Sequence, residues 1–332
     1  MKLYAGINPH ANNSVVVIID KEDRILYQKR LRNELGVVLQ ALTPYQDTLQ
    51  GIVVESTYNW YWHVDGLMAA GYRVHSANTT AIEQYKGLKH TDDQSDARWL
   101  AHLLRLGILP EGYIYPKAER AVRDLLRKRS QLVRQRTTNR LSMQNLPTRN
   151  TGLTFSGNRI KQLTVKEVEQ FLPQAELALA LKSNLAVFAC LEEQIESIEE
   201  VVLAQLKLRE GFQSLLTISG IGQILGMTIR LETGEISRFA TVGDFASYCR
   251  CVSSQKLSNG KRKGQGNVKN GNKYLAWAFV EAANFAVRYN TQIKRFYQRK
   301  QAQTNGVVAI KAVAHKLARA CYYILRDQVP GE

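Results

Sequence analysis

Residues 1–31 read MKLYAGINPHANNSVVVIIDKEDRILYQKRL, and the fold is decided there. Three short runs rich in Val, Ile, Leu and Tyr, at 2–7, 14–20 and 24–31, are separated by turn-forming residues, the pattern of a three-stranded antiparallel start. A helical stretch follows over about 34–42. Residues 51–55, GIVVE, make a compact apolar strand, with an aromatic helix near 58–70 and a further strand at 72–76. Strands that alternate with helices make an α/β sheet the expected N-terminal core.

Working outward, residues 93–106 place Ala97, Leu100, Ala101, Leu103 and Leu104 at helical spacing, which puts Asp93 and Asp96 together in the first turn. From 117 to about 145 a long helix carries nine basic residues against two acids, Glu119 and Asp124. That imbalance suits a phosphate-facing stripe better than a merely solvated one. Residues 147–157 collect Pro, Gly, Asn, Ser and Thr and read as a linker. Beyond it, 165–208 reads as a helical pair or coiled-coil arm. Its middle is acidic through Glu192, Glu193, Glu196, Glu199 and Glu200, so it is expected to face protein. A helical domain continues from about 212. The expected division is 1–110, 111–210 and 211–332.

The chain has 332 residues and a net charge of +16, enough length for more than one core and a balance that favours an anionic partner. No apolar run approaches the ~20 residues of a spanning helix, and residues 1–10 lack the apolar stretch of a signal peptide, so no membrane partner and a cytosolic location are expected. Cys190, Cys249, Cys251 and Cys321 form no CxxC pair, which makes a zinc site improbable.

Three features carry chemistry. Hard Mg²⁺ beside a phosphodiester needs converging carboxylates, which an RNase H-like sheet takes from its first strand, the end of its fourth strand and a later helix. Glu55 ends GIVVE, and Asp93 and Asp96 open the later helix, with Asp92 as the alternate to Asp93. On the first strand the corresponding position is Asn8, an amide without charge. Helix caps and surface charges give an alternative reading of the same acids.

The second feature is 217–223, TISGIGQ, a Gly-rich turn of helix-hairpin-helix kind. Its Gly220 and Gly222 either expose backbone amides to a phosphate or serve a tight turn. The third is 249–273, with seven Lys or Arg and no acid, read as a flexible arm that meets phosphates. There Ser258 precedes Lys261, Arg262 and Lys263, cations able to stabilise charge on a phosphate under attack, although a serine in a polar loop is commonly only a loop residue.

Taken in order, YAGINPHANNSVVVIID, VVESTYNWYW, GLKHTDDQSDARWLAHLLRLGILPEGYIYP, ISGIGQ and LSNGKRKGQGNVKNGNKYLAWAFVEAANFA resemble the DEDD transposases of the insertion-sequence 110 family, in particular the insertion-sequence 1111 subgroup. The likeness covers nearly the whole chain. It implies an α/β plus all-α architecture: a RuvC-like (RNase H-like) domain, a coiled-coil arm and a helical C-terminal transposase domain. It further implies transposition by DNA recombination, guided by a structured RNA, in the bacterial cytoplasm at the nucleoid. Glu55, Asp93 and Asp96 would hold Mg²⁺, with Asn8 and Asp92 beside them, and Ser258 would be the nucleophile. Double-stranded DNA and the guide RNA would meet Arg123, Arg127, Lys128, Arg134, Gly220, Gly222, Lys261, Arg262, Lys263, Lys269 and Lys273. Strand exchange implies a homo-oligomer, a dimer or tetramer.

One position departs from the family pattern. Family members carry GID where this chain reads GIN, and Pro9 replaces the apolar residue usual after it. Loss of one charged ligand leaves a second expectation open, a DNA- or RNA-binding remnant without catalysis. A third use of such a sheet, an actin-like or sugar-kinase ATPase, lacks the second Gly-rich phosphate motif it would need.

Overall fold

The computed structural model describes residues 1–82, 92–206, 212–253, 256–264 and 270–328. Two units divide the chain: Met1–Lys117 together with Lys256–Asn270, and Ala118–Gln255 together with Gly271–Glu332.

In the first unit, β1 (Leu3–Pro9), β2 (Asn13–Asp20), β3 (Ile25–Arg32), β4 (Leu49–Glu55), β5 (Val74–Ala77) and the two-residue β6 (Glu111–Gly112) form one sheet of order β3-β2-β1-β4-β5-β6. β1, β2 and β3 pair antiparallel, while β1, β4 and β5 run parallel, an order consistent with an RNase H-like domain. The helices are α1 (Leu35–Leu42), α2 (Tyr61–Ala69) and α3 (Asp93–Leu106).

Apolar runs such as SVVVIID and GIVVE arise because the central strands are covered on both faces. On one face Leu3, Ala5 and Ile7 pack with Ile52, Val54, Val38 and Leu67. On the other, Val15, Val17 and Ile19 pack against Ala97 and Ala101 of α3, and Val53 packs against Leu100. Gly6 lies on this second face, where a Cβ would stand 1.9 Å from the Ala97 carbonyl oxygen. Small residues on both elements therefore let α3 approach β1 closely.

The same unit contains the hairpin of β7 (Lys256–Ser258) and β8 (Lys261–Gly264), which pair antiparallel. Asn259 and Gly260 turn it at φ values of 52° and 71°. Asn-Gly tolerates two left-handed residues in succession, as a two-residue turn matched to strand twist requires. The expected flexible arm is thus in part an ordered hairpin, and the Asn-Gly pair was the signal for it.

The second unit is helical. Its elements are α4 (Lys117–Thr151), α5 (Gly157–Lys161), α6 (Val165–Phe171), α7 (Ala175–Leu206), α8 (Phe212–Leu215), α9 (Gln223–Thr233), α10 (Val242–Tyr248), α11 (Lys273–Tyr289), α12 (Thr291–Gln303) and α13 (Gly306–Asp327). Ion pairs Arg129–Glu199 and Arg136–Glu192 and the Ser142–Asn184 hydrogen bond show α7 running antiparallel to α4. At the far end Met143 packs with Ile160, Leu163, Val168 and Phe188.

The expected linker at 147–157 is corrected in its first half, because α4 continues through Pro147 to Thr151. An interior proline forfeits a backbone hydrogen bond at a cost of about 3 kcal/mol. Burial of Met143 and Pro147 offsets that loss. The C-terminal core gathers Leu275, Phe279, Ala282, Val313, Leu317 and Cys321 around Phe245. Among the described residues no helix is long and apolar enough to cross a membrane.

Candidate functional site

Strand alternation places the site. Ile7 belongs to the core opposite α3, so Asn8, next in β1, stands on the face that α3 covers. Asn8 is buried at 3% exposure. Glu55 follows Val54 at the end of β4 and shares the face of Val53, which packs against α3. In register Ile7 pairs with Val54, which sets Asn8 and Glu55 side by side at the ends of neighbouring parallel strands. The first turn of α3 brings Asp93 and Asp96 to this face.

Asp92 has another task. Its carboxylate accepts the Ser95 backbone N–H at 2.7 Å and so caps α3, and these bonds hold its pKa below the usual carboxylate range.

Burial, then the charge of Asp96, pushes the Glu55 carboxyl upward, with His10 partly offsetting this. Burial, then the charges of Asp93 and Asp92, does the same to Asp96. A folded pKa above the unfolded one means the native state holds its proton longer, so stability falls as pH rises through that window. Glu55→Gln is therefore expected to melt about 1–3 °C higher than the parent at pH 7. The gap should close below about pH 4, where the unfolded carboxyl is protonated as well. Melting curves from pH 3 to 8 test this, and a lower melting point for the variant at pH 7 would refute it.

Two basic side chains at this site, Arg30 and His10, were missed in the sequence. Arg30 of β3 donates Nη2 to Asp93 Oδ2 at 2.7 Å. His10 Nε2 lies 3.3 Å from the same oxygen without hydrogen-bond alignment, and is otherwise a buried nitrogen lacking a partner. The turn carrying His10 is held because its carbonyl accepts from Asn33 Nδ2 and Asn59 Nδ2, both at 2.7 Å. No spacing rule links Arg30 to Asp93, since packing of α3 on the sheet creates the pair.

A divalent cation fits this site in charge, because raised carboxyls and an uncharged buried amide form an under-neutralised cluster. In assembled geometry it does not. Among the described residues no group of three His, Cys, Asp or Glu is gathered as a ligand set, and Arg30 holds Asp93.

Ser258 is exposed, ends β7 and faces Lys261 in register. Its segment, Lys256–Asn270, belongs to the same unit as Glu55, Asp93 and Asp96, with a long 3.5 Å contact from Asn78 Nδ2 to Asn270 Oδ1. Lys261 and Lys263 are exposed. Lys269 and the Arg262 side chain lie outside the described residues.

The basic stripe of α4 is largely redirected. Arg123 and Arg127 converge on the buried Glu232 of α9, and Arg129 and Arg136 meet Glu199 and Glu192. Lys128 and Arg134 remain exposed. The expectation of a phosphate-facing stripe thus meets carboxylates of the same chain at four positions, where helix packing brings the opposite charges together. Gly220, at φ +92°, packs so tightly on α11 that a Cβ would lie 2.2 Å from the Ala282 carbonyl oxygen, and Gly222 caps α9. Close approach thus explains Gly220 without a ligand. Lys273 opens α11 with its Nζ 5.2 Å from the Tyr274 ring.

Two family models match this chain: the IS110-type DEDD transposase model over residues 5–146, and the Transposase IS116/IS110/IS902 family over residues 213–298. The transposase for insertion sequence element IS1328 of Yersinia enterocolitica is 31% identical over 170 residues, covering 50% of this chain and 50% of that protein. The putative transposase y4qE of Sinorhizobium fredii (strain NBRC 101917 / NGR234) is 25% identical over 245 residues, covering 72% of this chain and 59% of that protein. The chain thus spans about half to three-fifths of the length of these relatives.

Proposed function

Because the chain belongs to the insertion-sequence 110 family of DEDD transposases, we propose that it acts on DNA as the transposase of an insertion sequence, with Ser258 as nucleophile and Glu55, Asp93 and Asp96 as the acidic group. The observation that carries this reading is that the exposed Ser258 hairpin belongs to the same unit as the carboxylate-bearing sheet, although more than 150 residues separate them in the chain.

In this reading residues 1–110 are the RuvC-like domain, 111–210 the coiled-coil arm and 211–332 the transposase domain with its helix-hairpin-helix turn. The Ser258 hydroxyl loses its proton and attacks phosphorus, forming a phosphoserine ester as one P–O bond to the sugar breaks and the departing sugar oxygen takes up a proton. The cations of β8 stabilise the charge that develops on the phosphate oxygens. A bound Mg²⁺ held by Glu55, Asp93 and Asp96 would polarise the phosphate. A structured guide RNA would choose the DNA partners, and a homo-oligomer would hold several DNA ends.

Asn8 favours a second reading. A neutral amide at 3% exposure stands beside Glu55 where the family carries an aspartate, which fits a chain that binds nucleic acid without cutting it. The parent and Asn8→Asp, each given Mg²⁺ and element-end DNA, separate the two readings. Covalent capture or excision at least about tenfold faster in Asn8→Asp is expected, since one charged ligand is restored. Equal activity in both would remove Asn8 from the argument. No cleavage by either would leave the binding remnant.

A further inference from the structure

Cations of the second unit fall into two classes. Arg123, Arg127, Arg129 and Arg136 of α4 meet acids of their own chain, whereas among the described residues those of α12 form no ion pair. Residues 282–326 contain nine Lys or Arg and no Asp or Glu. Among the described residues Lys294, Arg295 and Arg299 take part in no ion pair.

The two faces of α12 explain why its charge stays outward. Ile293, Phe296 and Tyr297 pack against the C-terminal core, yet no residue of the helix is fully buried. Lys316 of α13 lies 4.9 Å from the Phe296 ring and so covers the inner side. On the outer side Gln292, Arg295, Gln298 and Arg299 line one shallow cleft, and Lys294 is exposed beside it. The spacing of 292, 295 and 299 makes a single stripe of about 10 Å along the helix. Ahead of it, Asn290 caps α12 and donates Nδ2 to Ser219 Oγ at 2.9 Å, which ties the start of this stripe to the Gly-rich turn.

We propose that the outer face of α12 is a docking surface for the phosphate backbone of duplex DNA, with Arg295 and Arg299 as paired phosphate contacts. Guanidinium groups engage phosphate oxygens through two parallel donors, and the amides of Gln292 and Gln298 add neutral donors between them. Charge complementarity selects the occupant. A basic stripe within a 45-residue segment, 282–326, that holds no acid suits a partner of dense, regular negative charge, and a straight helix face follows the edge of a duplex groove. The choice of DNA rests on the reading of the chain as a transposase.

The test uses the full chain as parent and as Arg295→Gln/Arg299→Gln, with a fluorescent duplex of unrelated sequence titrated at several salt concentrations. The double variant should bind about tenfold more weakly at low salt, with a log–log salt slope shallower by about 2. Its melting point should match the parent, because neither side chain is buried. Unchanged affinity and slope on DNA would overturn the proposal. So would a loss confined to a structured RNA of equal length, since it would assign the surface to RNA. Failure of the parent itself to bind any duplex would instead sink the transposase reading beneath it.

Discussion

Ser258→Ala is expected to abolish covalent capture of DNA, lowering its rate by at least about a thousandfold, while leaving thermal stability and non-covalent affinity unchanged. The large effect follows from removal of the hydroxyl proposed to form the bond to phosphorus, for which neighbouring cations cannot substitute. The absence of a stability effect follows from exposure: Ser258 stands at the end of β7, beside an Asn-Gly turn whose geometry is set by Asn259 and Gly260. Denaturing gels reveal the protein–DNA adduct, and the comparison belongs in the Asn8→Asp background, where capture is expected to be strongest. An adduct that persists in Ser258→Ala would show that another side chain attacks, and the assignment of the hairpin would fail.

Glu232→Ala is expected to destabilise the protein by about 3–5 kcal/mol, the cost of leaving buried charges without their partner. The Glu232 side chain is 3% exposed and receives Arg127 Nε at 2.5 Å, Arg127 Nη2 at 2.8 Å, Arg123 Nη2 at 3.0 Å and Asn272 Nδ2 at 2.7 Å. One carboxylate of α9 thus fastens α4 to the residue that caps α11. Alanine would take this carboxylate away from the Arg123 guanidinium, itself only 7% exposed.

The melting point should drop by about 5–15 °C. Burial alone would raise the Glu232 carboxyl, yet the hydrogen bond from Arg127 and the charge of Arg123 hold it below the usual range. A depressed folded pKa contributes stability above the ordinary value and loses it as pH falls. The gap between the parent and Glu232→Gln should therefore narrow below about pH 4. A melting point for Glu232→Ala within a degree of the parent would show that the network does not stabilise the fold.

Both results bear on how far the chain could be read in advance. The strands of the first unit, GIVVE and the α3 carboxylates were legible because alternation and helical spacing are local properties that burial on a sheet reinforces. Glu232 was not singled out, since in sequence it is one acid near the end of a helix. Its importance appears only when Arg123, Arg127 and Asn272 arrive from positions up to 109 residues away. The basic stripe of α4 misled for the same reason, because composition counts charges without saying which acid each will meet. Pro147 misled through local propensity, which the burial of Met143 overrode.

By itself, then, the sequence determined the α/β start, the succession of helices, the family and the candidate acids and serine, all of which rest on short-range periodicity or ordered motifs. Tertiary structure alone decided that the Ser258 hairpin joins the sheet's unit, that Arg30 and His10 crowd Asp93, and that Arg123, Arg127, Arg129 and Arg136 of α4 meet acids while Lys294, Arg295 and Arg299 of α12 stay exposed. The reason is physical. Secondary structure is set by neighbours within a few residues, but the surroundings of a charge are set by whatever packing brings within about 4 Å, and that list is written in three dimensions.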